Sequence, residues 1–300
     1  MFKNKSISFK PFVIIFILII SLIIGIQLFG ASRFETILAA QGEVIDGFWT
    51  DALIVRDEKV LKSPVSGRVE LLTGEGDRLA SGTELAEIKA SDHSQKVFNK
   101  KAGIVSFAVD GLENEVNLDN LNQINLNKFD DLRGNYTHIL SGERVKKDES
   151  LYRIINNFKL NLIVKIPENQ QDRFRTNEVI FLEQKNSDET IEAKIVDIRQ
   201  NVDETFFFIQ LDEYIPQWTN RRRINVNIIK NIYRGIKVPR KAVFNQPSGQ
   251  GVLKVSGYNK YEFQDVVIVD GNDEYVIVKG LDIGDEIIVN PEDFDYGGEA

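Results

Sequence analysis

The 300-residue chain contains no cysteine, which excludes disulfide staples, thiolate metal sites and a cysteine nucleophile. It has two histidines, His93 and His138, too few for the usual hydrolase triads or a histidine-rich metal centre. Without companions both read as surface or turn residues. Cationic excess is also missing. Thirty-seven Lys and Arg face 45 Asp and Glu, a net charge of −8, and with Lys3, Lys5 and Lys10 set aside residues 31–300 carry a net −11. Such a balance argues against nucleic acid as a partner. No catalytic, cofactor-binding or metal-binding residue is nominated by the sequence, and no cofactor is implied.

What the chain does have begins with a long apolar run. From Phe12 to Phe29 only Ser21, Gly25 and Gln27 interrupt residues drawn from Ile, Leu, Phe and Val. As a helix this run rises about 27 Å, close to the roughly 30 Å of a bilayer's hydrocarbon core. Summed insertion energies reach on the order of −5 to −9 kcal/mol, an upper bound because they apply at the helix centre. Lys3, Lys5 and Lys10 precede it with no acid among them, and only Arg33 follows closely. The positive-inside rule therefore puts residues 1–10 in the cytoplasm, a single-pass anchor at 11–30 touching lipid through residues 12–29, and residues 31–300 outside the cytoplasm. A cleaved signal peptide has a shorter apolar region and a small-x-small site, which Gly30-Ala31-Ser32 fits poorly, so the anchor is expected to stay.

The remainder, in a chain of ordinary 42% hydrophobic content, reads as β-strands: short alternating runs broken by Gly, Pro, Asn and Asp. Leu160, Leu162, Val164 and Ile166 share one face, as do Ile191, Ala193 and Ile195. One stretch, LDNLNQINLNKFDDL, has helical spacing at Leu118, Leu121, Leu126, Phe129 and Leu132 and suits short helices packed on a sheet. Three adjacent phenylalanines in DETFFFIQLDEYI fit a buried strand. GDRLASGTELAEI at 76–88 returns 66 positions later as GERVKKDESLYRI at 142–154, and each copy follows a Gly-x-Val element, Gly67-Arg68-Val69 and Gly103-Ile104-Val105. Two copies of one supersecondary unit, paired about a pseudo-twofold axis, make a small β-sandwich.

SPVSGRVELLTGEGDRLASGTELAEI resembles the first half of a biotinyl/lipoyl, or barrel-sandwich hybrid, domain. Without gaps, the modified lysine of such domains falls on Asp92, which cannot form the amide, while Lys89 and Lys96 are out of register. The resemblance thus implies a carrier fold without a swinging arm. GERVKKDESLYRIINNFKLNLIVKIPENQQDRF resembles the passage from lipoyl to β-barrel domain in membrane fusion proteins of the HlyD type. IKVPRKAVF, through Val238, Pro239, Ala242 and Val243, and GLDIGDEIIVNP, through Gly280, Leu281, Gly284 and Asp285, resemble that family's later segments.

The family implies a mainly β protein: an N-terminal transmembrane helix, a lipoyl-like sandwich over 31–157 with an inserted segment at about 110–141, a β-barrel over 158–235, and a membrane-proximal β domain with tail over 236–300. It also implies a non-catalytic adaptor for export or efflux, forming a homo-oligomer on an inner-membrane transporter. Contacts are expected around Val238 to Val243 and Gly280 to Asp285, with the hairpin at Ala90 to Gln95 pointing away. Members that reach an outer-membrane channel carry a long α-helical hairpin between the lipoyl halves; here eight residues separate Ile88 from Val97, and no such hairpin is expected. That departure keeps a second reading open, a structural envelope protein of cell division or wall assembly, and a biotin or lipoyl carrier ranks below both. Arg221-Arg222-Arg223 reads as a solvated turn, and PEDFDYGGEA as a frayed terminus.

Overall fold

The computed structural model describes residues 34–291 apart from 186, 188, 202, 203, 248 and 259. The expected cytoplasmic tail at 1–10, the anchor at 11–30 and the acidic tail from 292 lie outside the described residues. No helix among the described residues is long and apolar enough to cross a membrane. The described chain is mainly β and forms two compact units, one of residues 46–231 and one of residues 34–45 with 232–291.

Strands β1 (Thr36–Leu38) and β2 (Ala40–Lys62) come first, followed by β3 (Gly67–Leu71), β4 (Arg78–Leu79), β5 (Glu84–Lys89), β6 (Ser94–Phe98) and β7 (Gly103–Ser106). A short pair, β8 (Ala108–Val109) and β9 (Thr137–His138), brackets the inserted segment, and β10 (Arg144–Val145) leads into β11 (Ser150–Ile166). These strands make two antiparallel sheets of matching order. One runs β10-β3-β5-β6, the other β4-β7-β11 with the end of β2. The repeat explains the match. Gly76 N–H donates to Val105 C=O and Val105 N–H to Asp77 C=O; in the second copy Gly142 N–H donates to Val69 C=O and Val69 N–H to Glu143 C=O, all at 2.7–2.9 Å. Leu85 and Leu151 are fully buried in the shared core beside Ile88 and Ile154. Each half also needs a glycine where its strands cross. A Cβ on Gly67 would lie 2.6 Å from Lys89 O, and one on Gly103 2.6 Å from Ile155 O.

The barrel takes the second part of β11 and adds β12 (Val179–Gln184), β13 (Thr190–Asn201), β14 (Glu204–Leu211) and β15 (Arg223–Pro239). Sheet order is β2-β11-β14-β13-β12-β15, and β15 returns to β2 to close six strands. Leu160, Leu162, Val164 and Ile166 point inward with Ala193, Ile195 and Phe207, so the alternation read from the sequence is the barrel interior. Ala52 and Ile54 belong to the same core, which makes β2 common to sandwich and barrel.

Three barrel strands are buried on both faces, and the inserted segment is the reason. Leu118–Gln123 and Leu126–Asp131 form 3-10 helices whose Phe129, together with Ile124 and Leu132, packs on Leu53, Val55, Ile163, Phe206 and Phe208. Phe129 and Phe206 have ring centroids 5.2 Å apart. Asn117 and Asn125 cap the two helices through Asp119 N–H and Asn127 N–H. The run Phe206-Phe207-Phe208 is therefore apolar without alternation because Phe207 faces the barrel and its neighbours face the insertion.

The other unit contains β16 (Phe244–Gln246), β17 (Gly249–Gly257), β18 (Lys260–Asp265), β19 (Val267–Gly271), β20 (Tyr275–Lys279) and β21 (Glu286–Ile288). β1 pairs with β21, β17 with β16 and β18, and β19 with β20. Its core gathers Val238, Ala242, Val252, Val276, Val278, Leu281 and Ile287.

Candidate docking surfaces and a buried charged joint

The β5–β6 connection is a tight turn in which Ala90 N–H donates to His93 C=O at 2.9 Å. Asp92 occupies its exposed tip, 3.1 Å from His93 Nδ1. Lys89 is paired with Glu70, and Lys96 with Glu84 at 2.9 Å. Those hydrogen bonds raise both lysine pKa values. His138 lies exposed in β9, where it pairs with Ala108 of β8. Among the described residues no group of three His, Cys, Asp or Glu is placed to hold a metal ion.

The two late segments expected to make contacts are largely interior. Val238, Ala242 and Leu281 are core residues of their unit, and Pro239 is buried with them. What these segments show to solvent is Arg240, Lys241, Asp282 and Ile283, the last 66% exposed. The loop's shape is set by Gly280, where the φ of +105° and the 2.6 Å that an added Cβ would leave to Asp265 O both exclude a side chain, and by Asp285, which accepts from Asp282 N–H and pairs with Lys254. A contact surface here consists of one exposed aliphatic and a few charges.

Arg221-Arg222-Arg223 is not a solvated turn. Arg222 is 1% exposed and sits at the centre of a buried cluster. Its Nε and Nη2 donate to the two oxygens of Asp110 (2.8 and 2.9 Å), Nη2 also to Glu58 Oε1 (2.5 Å), and Nη1 to the carbonyls of Ile54 and Val116 (3.2 Å each). Arg153 Nη1 lies 3.2 Å from both Asp110 and Glu58 and 3.7 Å from Glu113, while its Nη2 donates to Thr219 C=O at 2.7 Å. Arg56 closes the cluster, donating to the carbonyls of Trp218, Thr219 and Arg221. Glu113 in turn accepts from the N–H groups of Asp110 and Gly111. Three guanidinium groups thus meet three carboxylates. The six come from β2, the start of the insertion, the sandwich half of β11 and the lead into β15. Arg223 is directed elsewhere, over the Phe129 ring at 4.2 Å.

Burial works against every charge in this cluster, and the pairs decide the outcome. Burial alone would raise the Asp110 pKa, yet Arg222, the Leu112 N–H and Arg153 hold it below the usual carboxylate value. Burial alone would lower that of Arg222, yet Glu58 and Asp110 raise it. Arg56, with carbonyls as its main partners, is pulled down to about 10 by burial against the opposing pull of Glu58. Arg56 and Arg222 both remain charged at neutral pH. Taking such ions out of water costs several kcal/mol each, a cost that their mutual attraction and hydrogen bonds have to offset.

Sequence reasoning did not find Glu58, Asp110 or Arg153. A signal was present: Arg56 ends the apolar run Ala52-Leu53-Ile54-Val55, and Arg153 interrupts Leu151-Tyr152-Ile154-Ile155. A charge inside a run of that kind needs a buried partner. The partner's identity was not legible, because Asp110 is 43 positions from Arg153 and 112 from Arg222.

Residues 58–156 match the family model described as RND related, barrel-sandwich hybrid domain, and residues 160–232 that described as RND related, beta-barrel domain. No curated protein sequence matches the chain. Among solved structures it is similar to ZneB from Cupriavidus metallidurans, 13% identical over 86% of this chain and 92% of that one, with a TM-score of 0.39. MacA from Actinobacillus actinomycetemcomitans is 12% identical over 85% and 100%, also at 0.39, and a putative efflux transporter from Bacteroides eggerthii 13% identical over 90% and 98%, at 0.37. The family assignment rests on the domain models, which follow one another along more than half of the chain and coincide with the sandwich and the barrel. A barrel-sandwich hybrid leading directly into its β-barrel makes this chain a member of the RND-related membrane fusion, or adaptor, protein family.

Proposed function

We propose that this protein is the non-catalytic adaptor of an export or efflux system. It is anchored by residues 11–30, lies outside the cytoplasm from residue 31, and docks as a homo-oligomer on an inner-membrane transporter whose exit path it shapes. The observation that supports this most is the succession of sandwich and barrel in a chain of the adaptor family, joined at one buried cluster of charges. A protein that does no chemistry acts on a transporter only through contacts that differ between the transporter's states. A stiff joint lets a contact made by one domain be felt at the other.

Photocrosslinking in native membranes tests the reading. Crosslinkers at Lys241 and Ile283 are expected to capture a transporter, and one at Asp92 is not. Capture from Asp92 alone would reverse the orientation. Capture from no position would favour the second reading, a structural envelope protein, which has one observation behind it: the connection at residues 90–93 is a tight turn where channel-reaching adaptors carry a long hairpin.

A further inference from the structure

A cleft of about 690 Å³ opens between two strand edges of the sandwich. β6 ends its sheet, and beyond Glu58 the sheet partner of β2 is β11. Both line the cleft continuously, with residues 59–62 and 95–98. Its floor is apolar: Val97 and Ile154 are buried there, and Phe98 stands 47% exposed. Its rim is cationic. Lys59, Lys62, Lys100 and Lys101 line it without an ion-pair partner among the described residues. The lining's one acid, Asp57, accepts a hydrogen bond from Asn156 at 3.0 Å. This is a local reversal of sign in a chain of net charge −8.

Lysines on an open edge are a common guard against pairing with another copy. That accounts for Lys59 and Lys62, which lie on a strand. It does not account for Lys100 and Lys101, which follow β6 on a loop, or for an apolar floor of this size. The charge that repels a like edge also selects an acidic one.

We propose that the cleft binds an extended acidic segment of a partner protein, which adds a strand to the outer edge of β6. Backbone hydrogen bonds would supply affinity. Alternate side chains would divide between the Val97 and Ile154 floor on one face and Phe98 on the other, with the lysine rim taking the acidic groups. The site is separate from the transporter contacts proposed above and stands or falls without them.

The test uses the full-length chain in detergent and a short fluorescent peptide of alternating Glu and Val, followed by anisotropy at low salt. Saturable binding is expected, with no binding of the Lys and Val counterpart. Affinity should fall at least about tenfold for Lys100→Glu/Lys101→Glu, and by a similar factor for a peptide N-methylated at alternate residues, which keeps its charge but loses backbone donors. Absence of binding overturns the proposal. So does equal affinity of the N-methylated peptide, which would mean adsorption by charge alone. Displacement by inorganic phosphate at constant ionic strength would reveal a small-anion site instead. A change in sedimenting mass of the lysine variant, without peptide binding to the wild type, would make this edge an interface between copies.

Discussion

At the scale of single residues, the charged joint separates two neighbours in sequence. Arg222→Met removes the group that bridges Asp110 and Glu58 and leaves both carboxylates buried and short of a partner, which should cost about 3–5 kcal/mol. Arg221→Met, at an exposed side chain one position away, should stay within about 0.5 kcal/mol. Urea unfolding of the full-length protein in detergent reads both, in a Trp49→Phe background that leaves Trp218 as the reporter. Trp218 is buried beside the joint, and its C=O accepts from Arg56. Equal effects at 221 and 222 would contradict the arrangement.

The same cluster gives the protein a dependence on acid. The folded state lowers the Asp110 pKa, so this carboxylate stabilises the fold fully above its unfolded value of about 3.9. That contribution is lost as pH falls through the lower, folded value. Asp110→Asn should therefore be less stable than wild type at neutral pH, and the gap in urea midpoint should narrow below about pH 4. A gap that is constant down to pH 3 would exclude Asp110 as the group responsible.

At the scale of elements, the two halves of the sandwich should respond alike to the same insult. Gly67→Ala and Gly103→Ala each drive a methyl against a strand carbonyl and an isoleucine side chain, so each should cost about 1–3 kcal/mol, with little difference between them. The inserted segment makes a different prediction. Phe129→Ala uncovers the outer face of β14 at Phe206 and Phe208 and should cost about 3–5 kcal/mol in the same unfolding assay. A cost below about 1 kcal/mol would mean that the insertion rests on the barrel without supporting it.

These elements were legible to different degrees. Alternation at Leu160, Leu162, Val164 and Ile166 located a strand and its inner face, because one face is buried and the pleat has a period of two. The Gly67 and Gly103 copies located the pseudo-twofold, because each needs the same side-chain-free crossing. The leucines from 118 to 132 announced short helices, though the 3-10 form follows from capping and tight turns that spacing does not encode. The division of β2 between sandwich and barrel was hidden, since a strand that passes from one sheet to another keeps its backbone extended and shows no break in sequence. The joint was hidden for another reason. Its six charges come from four separate segments, and only the closed fold brings them within 4 Å of one another.

At the scale of the molecule, the question is whether sandwich and barrel move as one body. Within residues 46–231 the two share β2 and β11, which run unbroken through both, and they are tied besides by the Ser106–Asn220–Glu75 hydrogen bonds and the six buried charges. Shared strands alone permit bending, because β11 shifts register between Ile155 and Leu160, at the junction itself. The charged cluster spans that junction, with Arg153 before it and Arg222 after it both held by Asp110. Ion pairs buried in one geometry resist alternatives, since a rotation that separates them strands an ion in a dry interior. A chain without cysteine allows a direct measurement, because Asp92→Cys and Lys194→Cys would be its only thiols and place one spin label on the sandwich turn and one on the barrel. The distance distribution between the labels should be single and narrow in the otherwise wild-type protein, and broader or split when Arg222→Met is added. If Arg222→Met leaves the width unchanged, the strands themselves set the angle, and an adaptor that passes a conformational signal from barrel to sandwich would do so through its backbone without need of the buried charges.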